Sequence, residues 1–169
     1  MTNNTGWTAG RGQGLTFGTA MNAADIDSLA TGHSVMSSVA DIANQTYQDQ
    51  FADVAVELVI ASTTLAAGAA LSLYIFDKYQ IDGSTSYYGD NSLTSTGGTQ
   101  EAYLPGYGLA GTYNATITGA AQTLVVATFR QVVLPTRAFR FALGNSLAVT
   151  LAASGHYVSY VTYNISLNS

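Results

Sequence analysis

Asp53-Val54-Ala55-Val56-Glu57-Leu58-Val59-Ile60 alternates residue by residue, with Val54, Val56, Leu58 and Ile60 on one side and Asp53, Ala55, Glu57 and Val59 on the other. A period of two predicts a β-strand with one face on a core. On either side of it the pattern repeats. Leu71, Leu73 and Ile75 alternate with Ser72, Tyr74 and Phe76, and Phe139, Phe141 and Leu143 alternate with Ala138, Arg140 and Ala142. Leu147, Val149 and Leu151 read as a further strand, reached from Phe141 through a hairpin at Gly144, Asn145 and Ser146. A turn at Ala153 to Gly155 then leads into a last strand, His156 to Ile165, so this end of the chain reads as a meander. Weaker runs at Val35 to Val39 and Leu124 to Gln131 bring the total to about seven or eight strands. With little amphipathic helix available, two sheets must cover each other. The expected fold is all-β, an antiparallel β-sandwich, with a closed barrel as the alternative.

The 169 residues suit one domain, and 47% hydrophobic residues suffice for a core. Only 9% are charged, where a soluble domain carries about 25%. Five Lys or Arg stand against ten Asp or Glu, for a net charge of −5, which disfavours binding to a phosphate backbone. The absence of cysteine removes disulfide frameworks, thiolate metal sites and cysteine nucleophiles. Met1 to Ala20 has no basic n-region followed by an apolar run, so it does not read as a signal peptide, and no apolar tract approaches the roughly 18 residues of a membrane span. The expectation is a chain made in the cytoplasm and kept off membranes.

Two segments depart from the strand rhythm. Residues 1–32 read as an extended arm, with Gly6, Gly10, Gly12, Gly14 and Gly18 among the isolated apolar anchors Trp7, Leu15 and Phe17. So many glycines make ordering costly, which points to an arm pinned by a partner. A two-turn helix is expected inside it at Asn22 to Ala30, from the N-cap candidate Asn22, the early acids Asp25 and Asp27, and Gly32 beyond the end. Within the sandwich domain, 33–169, residues 82–122 form a long Tyr- and Gly-rich insert carrying Tyr87, Tyr88, Tyr103, Tyr107 and Tyr113. Such tyrosines supply contact area at low entropy cost in a recognition loop, or else plug the ends of the sandwich.

No catalytic constellation emerges from the residues, and no cofactor or metal is implied. Gly106, Gly108 and Gly111 match a dinucleotide fingerprint only as spacing, because Pro105 precedes them and a strand-like run follows where a helix is needed. Asp77, Asp82, Asp90 and Asn91 offer oxygen ligands in no tight-loop spacing. His33 and His156, the only histidines, read as turn or strand-end hydrogen bonders, and Asp53 with Glu57 as an ordinary solvated strand face. Arg130, Arg137 and Arg140 make a local positive spot on an acidic chain. Two readings are open for that spot: internal salt bridges, or a docking patch for an acidic partner.

The runs Leu71-Ser-Leu-Tyr-Ile-Phe-Asp-Lys-Tyr-Gln-Ile-Asp-Gly with Tyr87, Tyr88 and Asp90, Val133-Leu-Pro-Thr-Arg-Ala-Phe-Arg-Phe-Ala-Leu-Gly-Asn, and Leu151-Ala-Ala-Ser-Gly-His resemble small virion proteins of tailed bacteriophages. The resemblance covers roughly residues 34–169. It implies a jelly-roll-like sandwich of the capsid decoration, or cement, type. Such a protein is not an enzyme; it binds the major capsid protein on the head surface and is expected as a homo-oligomer, a dimer or trimer. The partner-contact residues it and the composition suggest are Trp7, Arg11, Leu15, Phe17, Arg130, Arg137, Arg140, Tyr87, Tyr88, Tyr103 and Tyr107. The alternative is a carbohydrate- or receptor-binding module of a phage tail or fibre, with Tyr87, Tyr88, Tyr103 and Tyr107 as stacking platforms.

Overall fold

A computed structural model describes residues 4–9, 18–60, 65, 67–80, 85–88, 93–94, 100–101, 108–115 and 124–168. In chain order the strands are β1 (Asn4–Ala9), β2 (Gly18–Met21), β3 (His33–Met36), β4 (Ile42–Ala43), β5 (Phe51–Val59), β6 (Ala70–Gln80), β7 (Ser86–Tyr88), β8 (Leu93–Thr94), β9 (Gln100–Glu101), β10 (Leu109–Asn114), β11 (Leu124–Val133), β12 (Ala138–Ser146) and β13 (Tyr157–Asn168). Two one-turn helices, α1 (Ala23–Ile26) and α2 (Asn44–Tyr47), interrupt them. The first sheet runs β1-β13-β5-β11, with β2 also on β13; the second runs β8-β7-β6-β12-β3-β9, with β10 on β6 and β4 on β12. The chain is an antiparallel β-sandwich.

The decisive stretch does what its alternation requires. On β5, Val54, Val56 and Leu58 are buried, opposite Phe129, Ala127 and Val125 of β11, while Tyr160 and Val158 of β13 face Val54 and Val56 from the other side. Leu71 and Leu73 of β6 with Phe139, Phe141 and Leu143 of β12 supply the opposing inner face, and both faces join in one core. Phe141 stands edge-on to Phe139 and meets the Tyr160 ring across the sheets at 5.6 Å. Each such side chain, fully buried, is worth about 1.5–3 kcal/mol.

Three expectations change. Gly144, Asn145 and Ser146 form no hairpin; they continue β12, pairing with Ser72, Leu71 and Ala70. Asn145 is buried, its amide donates to the carbonyls of Leu29 and Val149 at 2.9 Å each, and its Oδ1 accepts the Leu147 N–H at 3.0 Å. The side chain thereby bends the chain after the strand, at Leu147 to Val149, with Ala148 at φ 60°. Leu147 to Leu151 is consequently no strand, and only Leu151 bridges to Ile60. There is no meander either, because β12 lies in the second sheet and β13 in the first.

The 82–122 insert contributes pairing strands, with β7 and β10 sharing the free edge of β6. Two of its glycines serve close approach: a Cβ at Gly108 would fall 2.0 Å from the buried Phe76 ring, and one at Gly111 would fall 2.9 Å from Phe129. The expected helix shrinks to the single turn α1, because Asp25 spends its carboxylate on the N–H and hydroxyl of Ser38, at 2.7 and 2.9 Å. The described parts of the arm, β1 and β2, run along β13 of the same chain.

Asn145→Ala removes three hydrogen bonds from a buried turn, and a loss of about 2–4 kcal/mol in unfolding free energy is expected from denaturant melts. A variant as stable as wild type would show that the turn does not depend on this side chain.

Candidate functional site

The polar side chains gather at one end of the sandwich, around Asp41. This residue ends the segment that leaves β3 and crosses the outer face of the second sheet just before β4. Its Oδ1 accepts Nε of Arg140 at 2.6 Å and the Tyr88 hydroxyl at 2.6 Å, and its Oδ2 accepts Nζ of Lys78 at 2.7 Å. The strand register explains the convergence. Arg140 lies opposite Phe76 on β6, Lys78 lies two residues further along β6, and Tyr88 lies opposite Lys78, so all three project from the same face. Arg140 also covers the Tyr88 ring, its guanidinium carbon 4.9 Å from the ring centre.

Burial works against ionising Asp41, but the hydrogen bonds from Lys78, Tyr88 and Arg140 and the Arg140 charge outweigh it, holding the carboxyl below its usual value of 3.8. Burial, then donation to Asp41, pushes the Tyr88 hydroxyl far above its usual value. Beneath it, Met36, Phe76, Tyr88 and Ala142 form a small second core.

Two concavities flank this cluster. A shallow groove is lined by Gln45, Lys78, Gln80, Arg137 and Ala138, where the Arg137 guanidinium carbon stands 5.0 Å from the centre of the Tyr79 ring. On the other side a cavity of about 220 Å³ lies between the sheets, lined by Thr19, residues 39–44, Asp49, Phe139, Tyr160 and Thr162. Asn44 fixes its edge: its amide donates to the carbonyls of Asp49 and Pro135 at 2.9 and 2.6 Å, and its Oδ1 accepts the Asp49 N–H at 2.8 Å.

Of the residues singled out from the sequence, Arg140 and Tyr88 meet at Asp41, and Arg137 lies beside them. Arg140 is therefore an internal ion pair and not a free docking cation. Tyr88 is 1% exposed with its hydroxyl committed, so it offers no stacking surface; burial behind the Asp41 segment overrides the loop-tip reading. Tyr87 is half-buried on β7, opposite Tyr79 and Thr94. Arg130 is exposed on β11, in the other sheet, apart from Arg137 and Arg140. The backbone of Trp7 pairs with Ile165. Arg11, Leu15, Phe17, Tyr103 and Tyr107 lie outside the described residues, as do Asp82, Asp90 and Asn91.

His156 is buried rather than exposed, with Nδ1 accepting the Val59 N–H at 3.2 Å and Nε2 donating to the Ala152 carbonyl at 2.9 Å. Asp53 accepts the Gln131 N–H and the Tyr163 hydroxyl at 2.9 and 3.0 Å, bracing a bulge in β11 at positive φ. Among the described residues no group of three His, Asp or Glu is placed to hold a metal ion, and no helix is long and apolar enough to cross a membrane.

Sequence reasoning missed Asp41, Lys78, Asn44, Asp49 and Thr162. Only Lys78 carried a signal, as the one lysine of the chain set in an alternating strand. No family model matches the chain, and neither a curated protein nor a solved structure shows significant similarity to it.

Asp41→Asn leaves Arg140 half-paired in a partly buried setting, and a loss of about 2–3 kcal/mol at pH 7 is expected in urea melts. The pH dependence follows from the lowered pKa. The contribution of Asp41 is complete above its ordinary value of 3.8 and is lost as pH falls through the lower folded value, so wild type and variant should converge in acid. A gap that stays constant from pH 7 to pH 3 would mean that the carboxylate charge is not what holds the cluster.

Proposed function

We propose that the protein is a non-enzymatic structural component of a tailed-phage virion, a jelly-roll-like decoration protein that attaches to the major capsid protein on the head surface. The observation that carries this reading is the outer face of the first sheet. Val126 and Tyr157 lie on either side of Glu57 in one cross-strand row and are 56% and 68% exposed; Leu124 and Val133 extend the apolar surface along β11. A sheet face with bulky apolar groups outward suits burial against another subunit better than lifelong contact with water. The charge-poor composition supports the same role, as does Arg137, an exposed cation that lines the shallow groove over the Tyr79 ring. Attachment stabilises by mass action, because a subunit that binds only the assembled shell shifts the balance away from its disassembly.

The test is co-sedimentation of the purified protein with heads that lack it, accompanied by thermal disruption of the loaded heads. Saturable binding at fixed stoichiometry with a raised disruption temperature is expected. Val126→Lys places a charge on the outward face without touching the core, and about tenfold weaker binding is expected of it. Heads that bind no wild-type protein, or bind the variant equally well, would overturn the reading or its surface.

A further inference from the structure

Both sheets end in edge strands, and among the described residues all but one of these strands are blunted. β4, β8 and β9 have two residues each. The pairing of β2, of β10 and of β11 with their neighbours is broken by a register shift, and at the shift in β11 stand the exposed Arg130 and Gln131, the latter at φ 53°. Short strands, bulges and charges are the devices that keep a sheet edge from pairing with another chain. β1 has none of them. Its six residues, Asn4-Thr5-Gly6-Trp7-Thr8-Ala9, hold an unbroken register on β13 and include neither a charge nor a proline.

The position of β1 opens this edge to a partner. β5 pairs with β13 only as far as Tyr163, whereas β1 pairs with Tyr163 through Asn168. The Ala9–Tyr163 pair lies beside β5, and the rest of β1 and β13 forms a two-stranded ribbon that runs past the end of β5. Hydrogen bonds of Asn164 and Ile165 with Asp49 and Gln50 tie the root of the ribbon to the sandwich. Two strands alone are marginal in water, so further strands added to the ribbon are favoured.

One hydrogen bond fixes the direction of the backbone groups. The Ile165 N–H donates to Gln50 Oε1 at 3.4 Å, on the β5 side. Alternation along an antiparallel strand then turns the backbone of Asn164, Ser166 and Asn168 toward β1, and that of their register partners Thr8, Gly6 and Asn4 toward β13. Thr5, Trp7 and Ala9 consequently aim their N–H and C=O groups at the open edge, where no strand among the described residues meets them.

We propose that β1 is the interface of a two-fold homodimer, pairing antiparallel with β1 of a second copy. A register centred on Trp7 sets Thr5 against the partner's Ala9 and Trp7 against the partner's Trp7, and it forms about six backbone hydrogen bonds. A second copy is the fitting occupant because an antiparallel edge is complementary to itself, and a single such contact closes the assembly. The ribbon becomes four-stranded. The first sheet then continues from one copy into the other, so the two outer faces that carry Val126 and Tyr157 lie on one side and can engage a shell together. That last consequence rests on the attachment reading; the pairing does not.

The experiment is sedimentation equilibrium and amide hydrogen exchange on the full chain, without heads. A reversible dimer is expected, in which the Thr5, Trp7 and Ala9 amides exchange at least about tenfold more slowly than at concentrations that keep the chain monomeric. Thr5→Pro deletes an outward N–H and no hydrogen bond between β1 and β13, so about tenfold weaker dimerisation with an unchanged circular dichroism spectrum is expected. Exchange on the wild-type chain decides the interface even where the variant folds poorly. A chain that is monomeric at every concentration would overturn the proposal. So would a dimer whose three amides exchange as fast as in the monomer, or dimerisation that Thr5→Pro leaves intact. A dimer that binds no heads leaves the pairing standing and refutes attachment alone, and a strict monomer that binds heads does the reverse.

Discussion

Apolar sheet faces without helices to cover them must cover one another, and the rest of the molecule is arranged around that constraint. Val54, Val56 and Leu58 cannot be buried by β11 and β13 alone, since those strands lie beside β5 and not above it. The missing cover comes from Leu71, Leu73, Phe139, Phe141 and Leu143 of the second sheet, and the Phe141 and Tyr160 rings meet where the layers touch. Connections are then left to close the open ends of the layers. This is where buried polar groups appear: Asn145 and His156 at turns, Asn44 and Asp49 at the cavity end. Each replaces water with specific hydrogen bonds, as a buried polar group must.

The Asp41 cluster shows how a charge-poor chain uses its few ions. Three of its five basic residues lie at one end of the second sheet, and two of them converge on a single carboxylate together with a tyrosine hydroxyl. The arrangement clips the segment after β3 across the sheet and, in doing so, sets one wall of the cavity. The outward apolar face of the first sheet is separate from this region.

Strand identity was legible in the sequence at the long strands with one buried face, and not at short ones such as β2 and β7. The alternations around Val56, Leu73, Val126, Phe141 and Tyr160 all became strands, because side-chain alternation is a property of the pleated backbone itself and leaves its mark within a few residues. The reading failed at Leu147 to Leu151, where an equally regular alternation is a bend. There Asn145, taken from sequence as a hairpin turn residue, makes three hydrogen bonds inside the fold. Its contact with Leu29 spans 116 positions and leaves no local pattern.

What the amino-acid sequence determined by itself is the all-β class, the positions of the principal strands, the acidic and charge-poor composition and the absence of thiol chemistry. Tertiary structure alone decided which strands are neighbours, that β12 and β13 belong to different sheets, that Tyr88 is buried behind the Asp41 segment, and that Arg140 is a partner of Asp41 99 residues away. The division has one physical cause. Periodicity and composition are set by the local backbone and solvent, whereas strand order, ion pairs and a cavity beside Thr162 arise only when distant segments are brought within a few ångströms of one another.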